Sequence, residues 1–296
     1  MPQSTFDVLV EPFALGFLQR ALFGGALVAV LCGVVGTWVV IRGMAFLGEA
    51  LAHGMLPGVA LATVLGVPVL IGGALSATAM SLGIAALQRR GTLSYDTSIG
   101  MLFVSMLALG VIIISHSGSF ATDATSILFG DILAITSVDL YLLAAAAALG
   151  IAVAVAFHRP LVALALDPRI ATVLGLGPRS AQAVLVALVT LAVVASYQAV
   201  GSLLVVGLLL APAVAAGQWT TRIPTRMLLA ALLGVLSVFV GLLISWHAAT
   251  AAGASVAATA IAVSGLSWAL RAALTAIRPH RNFSPSSERN TCAPAS

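Results

Sequence analysis

RGMAFLGEALAHGMLPG, Arg42 to Gly58, decides how the rest of the chain is read. One apolar run long enough to cross a bilayer lies upstream of it, and another begins downstream. Between them stand an arginine, a glutamate and a histidine. Glu49 and His53 are four residues apart, so on a helix they share one face. A carboxylate and an imidazole on one face make half of a metal site. They also open a hydrophobic segment, where ionisable groups are costly and mark function. Pro57 and Gly58 follow one turn later. Such residues interrupt a helix, and interrupted helices in transporters line the substrate path.

The composition sets the class. Of 296 residues, 61% are hydrophobic and only 7% are charged, which points to a polytopic membrane protein. All 13 basic residues are arginine. The net charge of +4 would suit nucleic acid, but no soluble domain carries a basic patch. Excess arginine is better read as an orientation signal. Cys32 and Cys292 are too few and too far apart for a disulfide framework or a thiolate metal site. Asp7 and Glu11 stand where a signal peptide would be basic, so a cleaved leader is not expected.

Nine apolar segments follow one another, over 13–41, 48–65, 67–88, 97–115, 138–157, 180–199, 201–217, 227–246 and 253–274. Most approach the ~20 residues that cross a ~30 Å hydrocarbon layer. The second and seventh are short, and Pro57 and Pro212 are expected to break them. Strand-period alternation is absent, which disfavours an outer-membrane barrel. With nine crossings, every arginine except Arg20 falls on one side, from Arg42, Arg89 and Arg90 through Arg159, Arg169 and Arg179 to the C-terminal group. That side is cytoplasmic by the positive-inside rule, with the N-terminus outside and the C-terminus inside. The reading is therefore all-α, with nine or alternatively eight transmembrane helices. The eight-crossing form makes one short segment re-entrant.

Two connections are long. Ser117 to Thr136, on the outer side, contains SILFGDILAI and is too apolar for a free loop, so a surface or re-entrant helix is expected. On the inner side, 159–179 forms a cytoplasmic loop. Within it, Asp167 and Pro168 resemble a helix start. Gly175 and Gly177 resemble its end. Ile170, Val173 and Leu174 fall at helical spacing between them and would face lipid or a partner. The transmembrane domain occupies 1–278, and the polar tail 279–296 is predicted to be disordered.

Five stretches in order carry a resemblance: GEALAHGMLPGVAL (Gly48–Leu61), YDTSIGMLF (Tyr95–Phe103), LFGDIL (Leu128–Leu133), DPRIATVLGLGP (Asp167–Pro178) and GSLLVVGLLLAPAVAA (Gly201–Ala216). Together they resemble the permease subunit of ATP-driven (ABC) importers for zinc, manganese or iron(II), from about Phe13 to Arg271. Glu49 departs from the aspartate usual in that family. It keeps the charge and adds one methylene.

The resemblance implies a type II ABC importer-like permease in the cytoplasmic membrane. Glu49 and His53 would be transient metal ligands in the translocation path. Asp167, Ile170, Leu174, Gly175 and Gly177 would form the coupling helix that docks into the ATPase. Two copies would pair as a homodimer, with cytoplasmic ATPase subunits below and an extracytoplasmic metal-binding protein above. The chain itself would bind no cofactor, and ATP would sit on the partner subunit.

Other readings stay open beside these. Glu49 would otherwise pair with Arg42, with His53 packed against a neighbouring helix. His116 and His247 sit at outer segment ends, as metal-receiving groups or as solvated interfacial residues. Asp96 is a helix cap or an arginine partner rather than a ligand. No phosphate-binding GxxxxGK[ST], Ser–His–Asp arrangement or HExxH is present, so the chain is not expected to be an enzyme. The rival functions are an ion-coupled secondary transporter and an ABC permease for a metal chelate.

Overall fold

The computed structural model describes residues 11–89, 94–116, 130–166, 172, 175 and 177–277. Among these, the regular structure is helical, with no strand. We number the helices α1 (Gly16–Ile41), α2 (Ala45–Gly54), α3 (Leu56–Leu65), α4 (Val69–Arg89), α5 (Tyr95–His116), α6 (Ser137–Ala156), α7 (His158–Leu166), α8 (Pro178–Trp219), α9 (Ile223–Ala248) and α10 (Ala252–Ile277).

Nine stretches of the described residues are long and apolar enough to cross a membrane. They match the nine segments of the sequence, with boundaries shifted by a few residues. Helices suit this setting because each backbone N–H and C=O is satisfied within its own segment. α2 and α3 together make one crossing, Ala45–Leu65. Helix breakage at Pro57 takes the expected form. The helix is interrupted at Met55, whose backbone stays right-handed helical (φ −75°, ψ −24°), and Pro57 falls in the first turn of α3, where its missing N–H costs little. Ser76 on α4 donates to the Gly54 carbonyl at 2.7 Å, satisfying an oxygen at the break.

The seventh segment behaves differently from expectation. Pro212 lies inside a continuous helix and does not break the segment; the non-helical residue is Gly201, φ 71° and ψ 168°, at the boundary between the sixth and seventh segments. Proline is tolerated within membrane helices because surrounding helices re-satisfy the backbone, whereas a φ near +70° is open mainly to glycine. The chain doubles back there. Gln182, near the start of α8, reaches Arg42 just beyond the end of α1. Val205 meets Cys32 midway along α1, and Ala213, near the other end of α8, clusters with Val40. Both ends of α8 thus lie at the same end of α1, and α8 is two antiparallel limbs.

α1 and the second limb of α8 form the centre of the bundle. Their membrane windows are 67% and 72% buried, against 17% for α5. They meet backbone to backbone. A side chain at Gly36 would run into the Leu209 carbonyl, and at Gly33 it would lie 2.7 Å from the Ala231 nitrogen of α9. Small residues at such crossings give membrane helices the close approach that the hydrophobic effect cannot supply in lipid. The other side of Leu209 packs on Gly48 of α2, so the central limb also sets the position of the helix that carries Glu49.

Candidate metal-transport site

α2 divides its residues cleanly. Leu47, Gly48, Ala50, Leu51 and Gly54 are buried against the bundle. Phe46, Glu49 and His53, spaced three and four apart, lie on the opposite face, where Phe46 is exposed and the other two half-buried. His53 Nε2 donates to Glu49 Oε1 at 2.9 Å. An ionised carboxylate only accepts, so Nε2 carries the proton and a neutral imidazole keeps its lone pair on Nδ1. Glu49 retains its second oxygen. The side chains are 38% (Glu49) and 19% (His53) exposed.

Phe103 on α5 stands edge-on to His53, with ring centroids 5.6 Å apart, and edge-on to Phe46 at 5.4 Å. It limits the swing of the imidazole. Phe46 shares the face of Glu49 by spacing alone, so the sequence contains its signal. Phe103 comes from another helix, and nothing in its local pattern marks it.

The structure does not pair Glu49 with Arg42. The Arg42 guanidinium turns to α7 and α8, donating through Nη1 to the Leu164 carbonyl at 2.7 Å and through Nη2 to Gln182 Oε1 at 3.5 Å. Gln182 in turn reaches Met44 Sδ at 3.6 Å. Asp96 does not cap α5. Ser94 does, accepting from the Thr97 N–H at 3.2 Å. Asp131 accepts from the Leu133 N–H at 3.2 Å and turns the chain into a short 3₁₀ turn. His247 is exposed, with Nδ1 2.9 Å from the Leu243 carbonyl of its own helix.

Of the expected coupling residues, Asp167, Ile170 and Leu174 lie outside the described residues, as do the 117–129 stretch, the His116 side chain and the tail from 278 on. Gly175 and Gly177 are described, with φ of +68° and +54°. Gly177 caps the start of α8, and its carbonyl accepts from the Ser180 and Ala181 N–H groups. No group of three or more His, Cys, Asp or Glu side chains comes together among the described residues. Glu49 and His53 therefore stand as a pair, with no third such side chain beside them among the described residues.

Nine apolar spans among the described residues, one of them bearing an acid–histidine pair, define a polytopic helical membrane protein. The ABC 3 transport family matches residues 14–270. The manganese transport system membrane protein MntC of Halalkalibacterium halodurans is 33% identical over 263 residues, covering 89% of each chain. The chelated iron transport system membrane protein YfeD of Yersinia pestis is 32% identical over 250 residues, 84% of this chain and 83% of that one. The solved structure of PsaBC from Streptococcus pneumoniae in complex with Fab superposes with a TM-score of 0.78 at 30% identity, covering 89% of this chain and 95% of that one. The chain belongs to the ABC 3 transport family, the permeases of metal ABC importers.

Proposed function

We propose that this chain is the permease of an ATP-driven importer that moves a divalent transition-metal ion across the cytoplasmic membrane. One observation carries the reading. A carboxylate and an imidazole, hydrogen-bonded at 2.9 Å, occupy an accessible face of a broken membrane helix. Oxygen and nitrogen donors without thiolate suit manganese, iron(II) and zinc. The relatives named for manganese and chelated iron favour the first two.

A homodimer with α2 near its two-fold axis would bring two Glu49 and two His53 together, four donors in place of two. Such a site would hold its ion only briefly, since a transported ion must also leave. Energy would come from separate ATPase subunits docked on the loop that carries Asp167, Ile170, Leu174, Gly175 and Gly177. The Arg42 contacts support that route. This side chain grips Leu164 before the loop and Gln182 after it, and it stands three residues ahead of α2. Arginines on the loop side favour a cytoplasmic loop, with the N-terminus and an extracytoplasmic binding protein on the other side. Uptake of radioactive manganese, iron(II) and zinc by cells expressing the complete transporter, each in competition with the other metals, tests the reading. Accumulation of none of them above cells lacking the permease would refute it.

A further inference from the structure

Between α4 and the first limb of α8 the structure holds a cavity of about 1050 Å³. Its walls are two facing stripes at helical spacing. Ala74, Thr78 and Ala85 come from α4, and Ala183, Ala187 and Leu191 from α8. Ser81 and Thr190 bridge the two helices at 2.8 Å. Thr78, Leu82, Ala183 and Ala187 are exposed, so the cavity is a groove open on the side of the bundle. Small residues on both stripes would let these helices close together in a membrane. They touch through the Ser81–Thr190 bridge, and the open groove beside it forfeits dispersion contacts on both walls.

The groove has a direction. From Ala74 to Gln88 along α4 is roughly 21 Å, at ~1.5 Å per residue. One leaflet contributes about half of a ~30 Å hydrocarbon core. The groove therefore runs from a membrane boundary through the depth of a leaflet. Its deep part is apolar apart from Thr78, Ser81 and Thr190, whose hydroxyls donate to carbonyls of their own helices. Its charged lining collects at one end, where Arg42, Asp96 and Arg179, with Gln88, sit at or beside the ends of membrane spans. Arg42 has no carboxylate within ion-pair distance among the described residues. Its Nε is buried without a hydrogen-bond partner. Among the described residues, two arginines against one aspartate leave this end net positive.

We propose that this groove is a binding site for one anionic glycerophospholipid, with an acyl chain between α4 and α8 and the headgroup phosphate on Arg42 and Arg179. Asp96 would accept from a headgroup hydroxyl, as phosphatidylglycerol offers. An elongated apolar slot that ends in a cationic mouth at the membrane boundary has the shape and charge order of that lipid. The proposal rests on the membrane placement of the helices and is independent of the metal.

Native mass spectrometry of the full-length chain, titrated with phosphatidylglycerol and separately with phosphatidylcholine, tests it. One phosphatidylglycerol per chain should be retained in preference to phosphatidylcholine. Arg179→Gln should cut that preference about fivefold, as one arginine near a lipid headgroup does. Ala187→Trp should fill the tail slot and weaken both lipids while circular dichroism stays unchanged. Equal retention of the two lipids by the unaltered chain would overturn the proposal. So would an Ala187→Trp chain that binds phosphatidylglycerol as before, or one that loses only its self-association, which would mean that a second copy fills the groove.

Discussion

Gly36 of α1 rests directly on the carbonyl oxygen of Leu209 in the second limb of α8. The contact is backbone on backbone, so a side chain at Gly36 has nowhere to go without moving a helix that also supports α2. Gly36→Ala should therefore destabilise the protein by about 1–3 kcal/mol, the cost of overpacking a tight contact. Gly265 in α10 meets nothing within 4 Å, so Gly265→Ala should leave stability unchanged or raise it. Thermal unfolding in detergent reads both. A Gly36→Ala protein as stable as the parent would mean that the two helices do not meet in this way.

Topology follows from the two ends of α9. Thr221 lies just before it and Thr250 just after it, both exposed, with a crossing of roughly 39 Å between them at ~1.5 Å per residue. Cys32 is buried, so Cys292→Ser gives a background without an accessible thiol. In that background Thr250→Cys should react with an impermeant thiol reagent added to intact cells. Thr221→Cys and Arg169→Cys should react only after the membrane is opened. Labelling of Arg169→Cys from outside would reverse the assignment.

Coupling makes a separate demand on the loop between α7 and α8. Leu174→Asp places a charge in the proposed apolar contact with the ATPase. It should weaken co-purification of that subunit by more than about tenfold, a loss of ~1.4 kcal/mol or more. The amount of permease in the membrane should not change. Normal co-purification together with normal metal uptake would remove this loop from the docking role.

The spans were legible in the sequence because length and hydropathy are properties of each segment alone. Pro57 announced the break after α2, since proline carries its restriction with it. Pro212 carried the same signal and misled, because the helices around it tolerate what an isolated helix would not. The turn at Gly201 falls where the sequence divides the segment 180–199 from the segment 201–217, and only its φ of 71° shows that a glycine makes it. Glu49 and His53 were found by spacing within one helix. Phe103 and the grip of Arg42 on Leu164 and Gln182 were not, because each joins positions far apart in sequence. Ser94 took the capping role expected of Asp96 because it stands one residue ahead of α5, at the N-cap.

The central claim is that Glu49 and His53 carry the ion. Glu49→Gln nearly preserves shape and removes the charge, and His53→Ala removes the imidazole. The most direct measurement is radioactive manganese uptake by cells expressing the complete transporter with either variant, beside the basal ATPase rate of the purified complex. Uptake should fall at least about tenfold in each, the loss of ~1.4 kcal/mol or more of ion stabilisation, while assembly and the basal ATPase rate stay normal. Near-normal uptake in both variants would contradict the account and leave the pair as a hydrogen-bonded packing feature of α2.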